Sequence, residues 1–133
     1  MKFLIAEDDF ASRKLLQAYL KRAHLTEVDL VIDGQEAIQA FELAWAEEQP
    51  YDVIFLDIMM PNIDGQEALT TIRTRERELG VKPADEAKII MVTALGDPTN
   101  VIRAFNKGGA TGYLVKPIEP DTLMQEMKKY SII

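Results

Sequence analysis

Four short stretches carry side chains that could do chemistry together: Glu7-Asp8-Asp9, Asp57, Thr93 and Lys116. Residues 53 to 56 are apolar at every position, and Asp57 follows them directly. Ile58, Met59 and Met60 then lead into the turn Pro61-Asn62-Ile63-Asp64-Gly65. A carboxylate at the end of such a strand is costly unless something pairs with it. Carboxylates crowded at one place raise one another's pKa unless a cation joins them. Acidic oxygens with little nitrogen or sulfur beside them suit a hard cation, foremost Mg²⁺ retaining several waters. Lys116 would add an ammonium group to this set, and Thr93 a hydroxyl.

The chain must bring these residues together, and its periodicity says how. Five short apolar runs, at residues 2–6, 27–32, 53–56, 88–92 and 112–115, alternate with helical patterns. The helical stripes are Leu15, Leu16, Tyr19 and Leu20; Ala37, Ile38, Phe41 and Trp45; Ala68, Leu69 and Ile72; Val101, Ile102 and Phe105; and Leu123, Met124 and Met127. Punctuation agrees. Asp97-Pro98 predicts a helix start, Gly108-Gly109 the end of that helix, and Pro120 the first turn of the last one. Asp33-Gly34 separates the second strand from the second helix, and residues 80–87 form a rather long loop. A (βα)5 alternation calls for a parallel sheet covered by helices on both faces. Strands apolar at consecutive positions are what double coverage requires. In such sheets chemistry gathers at the carboxyl ends of the strands. The acids, Asp57, Thr93 and Lys116 all stand there, after strands one, three, four and five.

In this arrangement the sequence resembles the receiver domains of two-component response regulators. The resemblance covers essentially the whole chain. It rests on "EDD" after strand one, "DIMMPNIDG" around Asp57, "VTA" at the end of strand four and "GYLVKP" at strand five. It implies a doubly wound, flavodoxin-like three-layer α/β sandwich with strand order 2-1-3-4-5 and five helices. It further implies that Asp57 accepts a phosphoryl group in a Mg²⁺-dependent reaction. Asp8 and Asp57 would ligate the metal with the backbone carbonyl of Met59, and Glu7 would act through a coordinated water. Lys116 would pair with the Asp57 carboxylate and then with the phosphoryl group. Thr93 would donate its hydroxyl to a phosphoryl oxygen, and Tyr113 would be the aromatic switch altering the helix 4–strand 5–helix 5 surface. The Lys116-Pro117 bond is expected to be cis. The partners implied are a sensor histidine kinase or histidine phosphotransfer protein, and a downstream protein effector. Met59 and Leu95, apolar where family members can carry polar side chains that orient water, predict slow self-dephosphorylation.

The bulk composition narrows the field further. The chain has 133 residues, 47% hydrophobic and 28% charged, which suits one domain, residues 1–133, with no output domain expected within it. A formal net charge of −7 with scattered basic residues argues against nucleic acid as partner. No apolar stretch reaches the ~20 residues that span a bilayer, and the start of the chain does not read as a secretory signal. Cytoplasm is the expected location. With no cysteine there is neither a disulfide nor a thiolate site.

Other readings fit less well. A flavin carrier would need a Ser/Thr/Gly phosphate loop after strand one, where Glu7-Asp8-Asp9 would repel phosphate. A haloacid-dehalogenase-type phosphatase would need a second aspartate where Met59 stands. A degenerate receiver acting only as a binding module would not need the full set of Glu7, Asp8, Asp57, Thr93 and Lys116. A receiver cut from a longer regulator remains the alternative to a stand-alone one, and in either case the domain is a phosphoacceptor rather than a conventional enzyme. Asp9 is expected to cap the first helix, His24 to lie at the surface, and the alternating charges of residues 73–78 to form a solvated helix face.

Overall fold

The apolar runs of the central strands serve two cores at once. In the computed structural model, which describes residues 1–94, 98–104 and 109–133, five strands form one parallel sheet. They are β1 (Phe3–Ala6), β2 (Val28–Val31), β3 (Val53–Asp57), β4 (Lys88–Thr93) and β5 (Gly112–Val115), in the order β2-β1-β3-β4-β5. The helices are α1 (Phe10–Arg22), α2 (Gly34–Ala46), α3 (Gly65–Glu78), α4 (Pro98–Arg103) and α5 (Pro120–Lys129).

Side chains alternate across a strand with a period of two. Leu4, Ile54, Leu56, Ile89 and Met91 therefore pack with Phe41 of α2 and with Leu69 and Ile72 of α3. Phe3, Ile5, Val53, Phe55, Ile90 and Val92 pack on the other face with Leu16 and Leu20 of α1 and Leu123 and Met127 of α5. The result is the three-layer sandwich expected. Strand β2 lies at the sheet edge and is only partly buried.

Local signals placed the helices well. Asp9, Asp33 and Asp64 each cap a helix by accepting a hydrogen bond from the amide three residues on. Pro98 begins α4 and Pro120 begins α5. Asp97, Gly108 and Phe105 lie outside the described residues. Leu15 and Ile102, assigned to apolar stripes, are exposed. The loop before β4 contains a 3-10 turn at Pro83–Asp85, and His24 is exposed with φ 63°.

A further expectation fails. The 73–78 charge run is not wholly solvated, because Arg73 and Glu76 are buried. Arg73 Nη1 donates to Glu76 Oε1 at 2.6 Å and to the Ala87 carbonyl at 2.8 Å, and its Nε donates to the Gly109 carbonyl at 2.9 Å. The Ala87 amide donates to Glu76 Oε2 at 2.8 Å. Spacing of three on a helix lets Arg73 and Glu76 meet, and their burial follows from satisfying backbone groups at the start of β4 and ahead of β5. Removing one partner of such a buried pair strands the other. Glu76→Ala is expected to cost roughly 3–5 kcal/mol of stability in urea unfolding, whereas Glu78→Ala, on the exposed side of α3, should change it by no more than about 0.5 kcal/mol.

Candidate functional site

Strand register assembles the site. Ala6 pairs with Leu56, so Glu7 falls level with Asp57, which is itself the last residue of β3 and pairs with Val92. Thr93 pairs with Val115, which puts Lys116 one step beyond, where its amide donates to the Thr93 carbonyl at 2.8 Å. All these strands are parallel, so their carboxyl ends share one edge, at the point where strand order reverses between β1 and β3. Strand parity then sorts the side chains. Glu7 follows Phe3 and Ile5, Asp57 follows Val53 and Phe55, and Lys116 follows Leu114, all on the α1/α5 face. Thr93 takes the opposite parity with Ile89 and Met91.

The three residues of shared parity form an ion cluster. Lys116 Nζ stands 2.5 Å from Glu7 Oε1 and 3.1 Å from Asp57 Oδ2. Both carboxylates are buried, each only 4% exposed. Pairing of Lys116 with Asp57 was expected; its closer contact with Glu7 was not legible, because the register placing Glu7 level with Asp57 is a property of the sheet. Burial, with the adjacent Asp57 carboxylate adding to it, pushes the Glu7 carboxyl up to about 7 against the lowering effect of Lys116. For Lys116, burial disfavours the ammonium, but hydrogen bonds to Glu7 and Asp57 prevail and hold its pKa above the usual lysine value. One ammonium does not balance two buried carboxylates with a third beside them.

That third carboxylate is the exposed Asp8. Glu7, Asp8 and Asp57 each offer an oxygen, and these oxygens lie within 4.8 Å of one another. An all-oxygen acidic set with surplus negative charge fits a hard divalent cation. Asp9 stays outside this set as expected, its carboxylate accepting from the Ser12 amide at 2.8 Å, which lowers its pKa. Arg13 is a residue that sequence reasoning missed. Its Nη1 donates to the Glu7 carbonyl at 2.7 Å and to the Asp8 carbonyl at 3.4 Å, bracing the acidic turn from the first turns of α1. An arginine six residues after Glu7, just inside the helix, was the only signal.

The Met59 amide donates to Asp57 Oδ1 at 3.2 Å, while its side chain is 65% exposed. The buried Thr93 hydroxyl donates to the Ala94 carbonyl at 3.4 Å, a long bond. Tyr113 is 43% exposed on the outer side of β5. The Lys116-Pro117 bond is cis, as anticipated. Leu95 lies outside the described residues. Gly65 closes the site from below: a Cβ there would come within 2.2 Å of the Asp57 carbonyl, so only glycine lets α3 begin against β3.

Among the described residues no helix is long and apolar enough to cross a membrane. Residues 3–128 match the model of the response regulator receiver domain. The transcriptional regulatory protein SrrA of Staphylococcus aureus is 35% identical over 127 residues, 96% of this chain, and the chain spans 46% of that relative's length. The receiver domain of the sensor histidine kinase PA1611 from Pseudomonas aeruginosa, solved with a magnesium ion coordinated in its active-site cleft, is 30% identical with a TM-score of 0.74, covering 97% of this chain and 95% of that one. The receiver domain of the Saccharomyces cerevisiae response regulator Ssk1, crystallised with the histidine phosphotransfer protein Ypd1, is 27% identical with a TM-score of 0.81, covering 98% and 88%. Fold, acidic strand-end cluster and family match agree: the chain belongs to the response regulator receiver domains of two-component signalling.

Proposed function

We propose that residues 1–133 act as one phosphoacceptor unit in which Asp57 takes a phosphoryl group from a phosphohistidine donor. The observation that carries this reading is the Asp57 carboxylate held at the end of β3 with Lys116 Nζ at 3.1 Å and with Glu7 and Asp8 in reach of a shared cation. Asp8, Asp57 and the Met59 carbonyl would hold Mg²⁺ directly, with Glu7 acting through a water. The bound ion would supply charge neutralisation for the phosphoryl oxygens. An aspartate is a weak nucleophile, but phosphoryl transfer depends mostly on positioning and neutralisation. The Met59 amide fixes one Asp57 oxygen and Lys116 the other. During transfer Lys116 would move its hydrogen bond from Asp57 to the incoming phosphoryl group, while Glu7 keeps it anchored at 2.5 Å.

The acquired charge, roughly −1.5 to −2 by analogy with phosphorylated hydroxyl residues, supports a switch. The Thr93 hydroxyl gives up little by leaving the Ala94 carbonyl. Its movement toward the phosphoryl oxygens would free space for Tyr113 to turn inward and reshape the α4–β5–α5 surface for a protein effector. Exposed Phe10, Leu15 and Met59 supply apolar surface for a histidine kinase or phosphotransfer partner. The relative crystallised with Ypd1 supports this class of partner. A signalling domain of this kind, with no membrane-crossing helix among the described residues, is proposed to work in the cytoplasm.

Three outcomes check the reading. Incubation with Mg²⁺ and a small phosphodonor should add one phosphate mass, and Asp57→Asn should abolish it in intact-protein mass spectrometry. Persistence of that mass in the variant would move the acceptor elsewhere.

Titration of Glu7 gives the second. Because its folded pKa of about 7 exceeds the ordinary 4.5, the metal-free fold binds this proton more tightly than the unfolded chain does. Its contribution to stability is full below pH ~4.5 and is lost as pH rises through ~7. Binding a cation must expel that proton, so Mg²⁺ affinity measured by calorimetry should climb between pH 6 and 8. A flat profile would show that Glu7 is already ionised.

Third, Met59→Asn with Leu95→Glu should shorten the phosphate lifetime roughly tenfold or more by orienting water. An unchanged lifetime would sink the proposed role of these apolar side chains.

A further inference from the structure

The β3–α3 loop, which carries Met59, is pinned at both ends. At its start the Ile58 amide donates to the Val92 carbonyl at 3.0 Å. At its end the Gly65 amide donates to the Ile58 carbonyl at 2.9 Å, and Asp64 caps α3. A third attachment comes from elsewhere, from the turn that opens α2. The buried Asp33 uses its two oxygens for different tasks. Oδ1 accepts from the Glu36 amide at 2.8 Å and caps α2, while Oδ2 accepts from Asn62 Nδ2 at 2.9 Å. Beside it the Gly34 amide donates to the Ile63 carbonyl at 3.1 Å. A Cβ on Gly34 would stand 2.0 Å from that carbonyl, so a glycine is needed for the approach. Asn62 has φ 66°, in the left-handed region that asparagine tolerates better than most residues.

We propose that Asp33 and Asn62 form a brace that holds the middle of this loop, making Asp33 a positioning residue for the cation site. The inference rests on the functional reading above, in which the Met59 carbonyl is a metal ligand. Met59 is three residues from Asn62, and its amide also orients Asp57 Oδ1. A loop free at its middle would present that carbonyl in many orientations, and cation binding would have to order it. Groups that orient metal ligands from outside commonly govern affinity by 10–100-fold. The Asp-Gly pair between β2 and α2 thus does two jobs: it starts a helix and it secures the loop that follows β3.

A polarity swap separates the brace from simple proximity. Asn62→Asp would set two carboxylates against each other while keeping a residue that accepts the positive φ. The added negative charge by itself favours a cation, so a loss of affinity has to come from loop geometry. Calorimetric Mg²⁺ titration should show roughly tenfold weaker binding, and the amides of residues 58–64 should exchange hydrogen faster. Combining it with Asp33→Asn should restore both, since an asparagine at 33 caps α2 through its carbonyl and donates to the aspartate at 62. Unchanged or tighter Mg²⁺ binding in Asn62→Asp, or a double variant no better than the single one, would overturn the brace. Failure of the unsubstituted protein to bind Mg²⁺ would instead overturn the functional reading on which the brace rests.

Discussion

Two buried carboxylates compete for one ammonium at the carboxyl edge of the sheet, and the rest of the molecule is arranged around that imbalance. Lys116 lies between Glu7 and Asp57 because β1, β3 and β5 end at one edge with the same side-chain parity. A single cation shared between two buried anions offsets part of their desolvation and leaves the remainder as a demand for more positive charge. Glu7 answers part of that demand by holding a proton near neutrality. A hard divalent ion, brought within reach of Asp8 as well, would answer it fully.

The supporting structure keeps those charges where burial would otherwise disperse them. Two separate cores clamp the central strands from both faces, so the strand ends cannot slide without disturbing both. Arg13 holds the carbonyls of the acidic turn. Gly65 lets α3 start directly against Asp57, and Gly34 lets α2 start directly against the loop that follows it. At the opposite edge of the sheet Arg73 and Glu76 tie α3 to the start of β4 and to the turn before β5.

Much of this was legible in the residues. The unbroken apolar runs announced doubly covered strands, because a half-exposed strand would alternate. Asp9 ahead of a helical stripe announced a cap, and it does cap α1. The charge run of α3 was misjudged, since a helix surface pattern of alternating charge does not say which turn faces a neighbour. Leu15 and Ile102 were misjudged for the converse reason: an apolar side chain at helical spacing can also sit on the outer side of the stripe.

By itself the sequence determined the class of fold, the strand-end location of Asp57, Thr93 and Lys116, and the oxygen-rich character of the site. These follow from local periodicity and residue type, which act over a few residues. Tertiary structure decided the register that sets Glu7 level with Asp57, the parity that turns Thr93 to the other face, and the reach of Asp33 across to Asn62. Those relations join residues far apart in the chain, and they exist only once the strands have paired and both helical layers have closed over them.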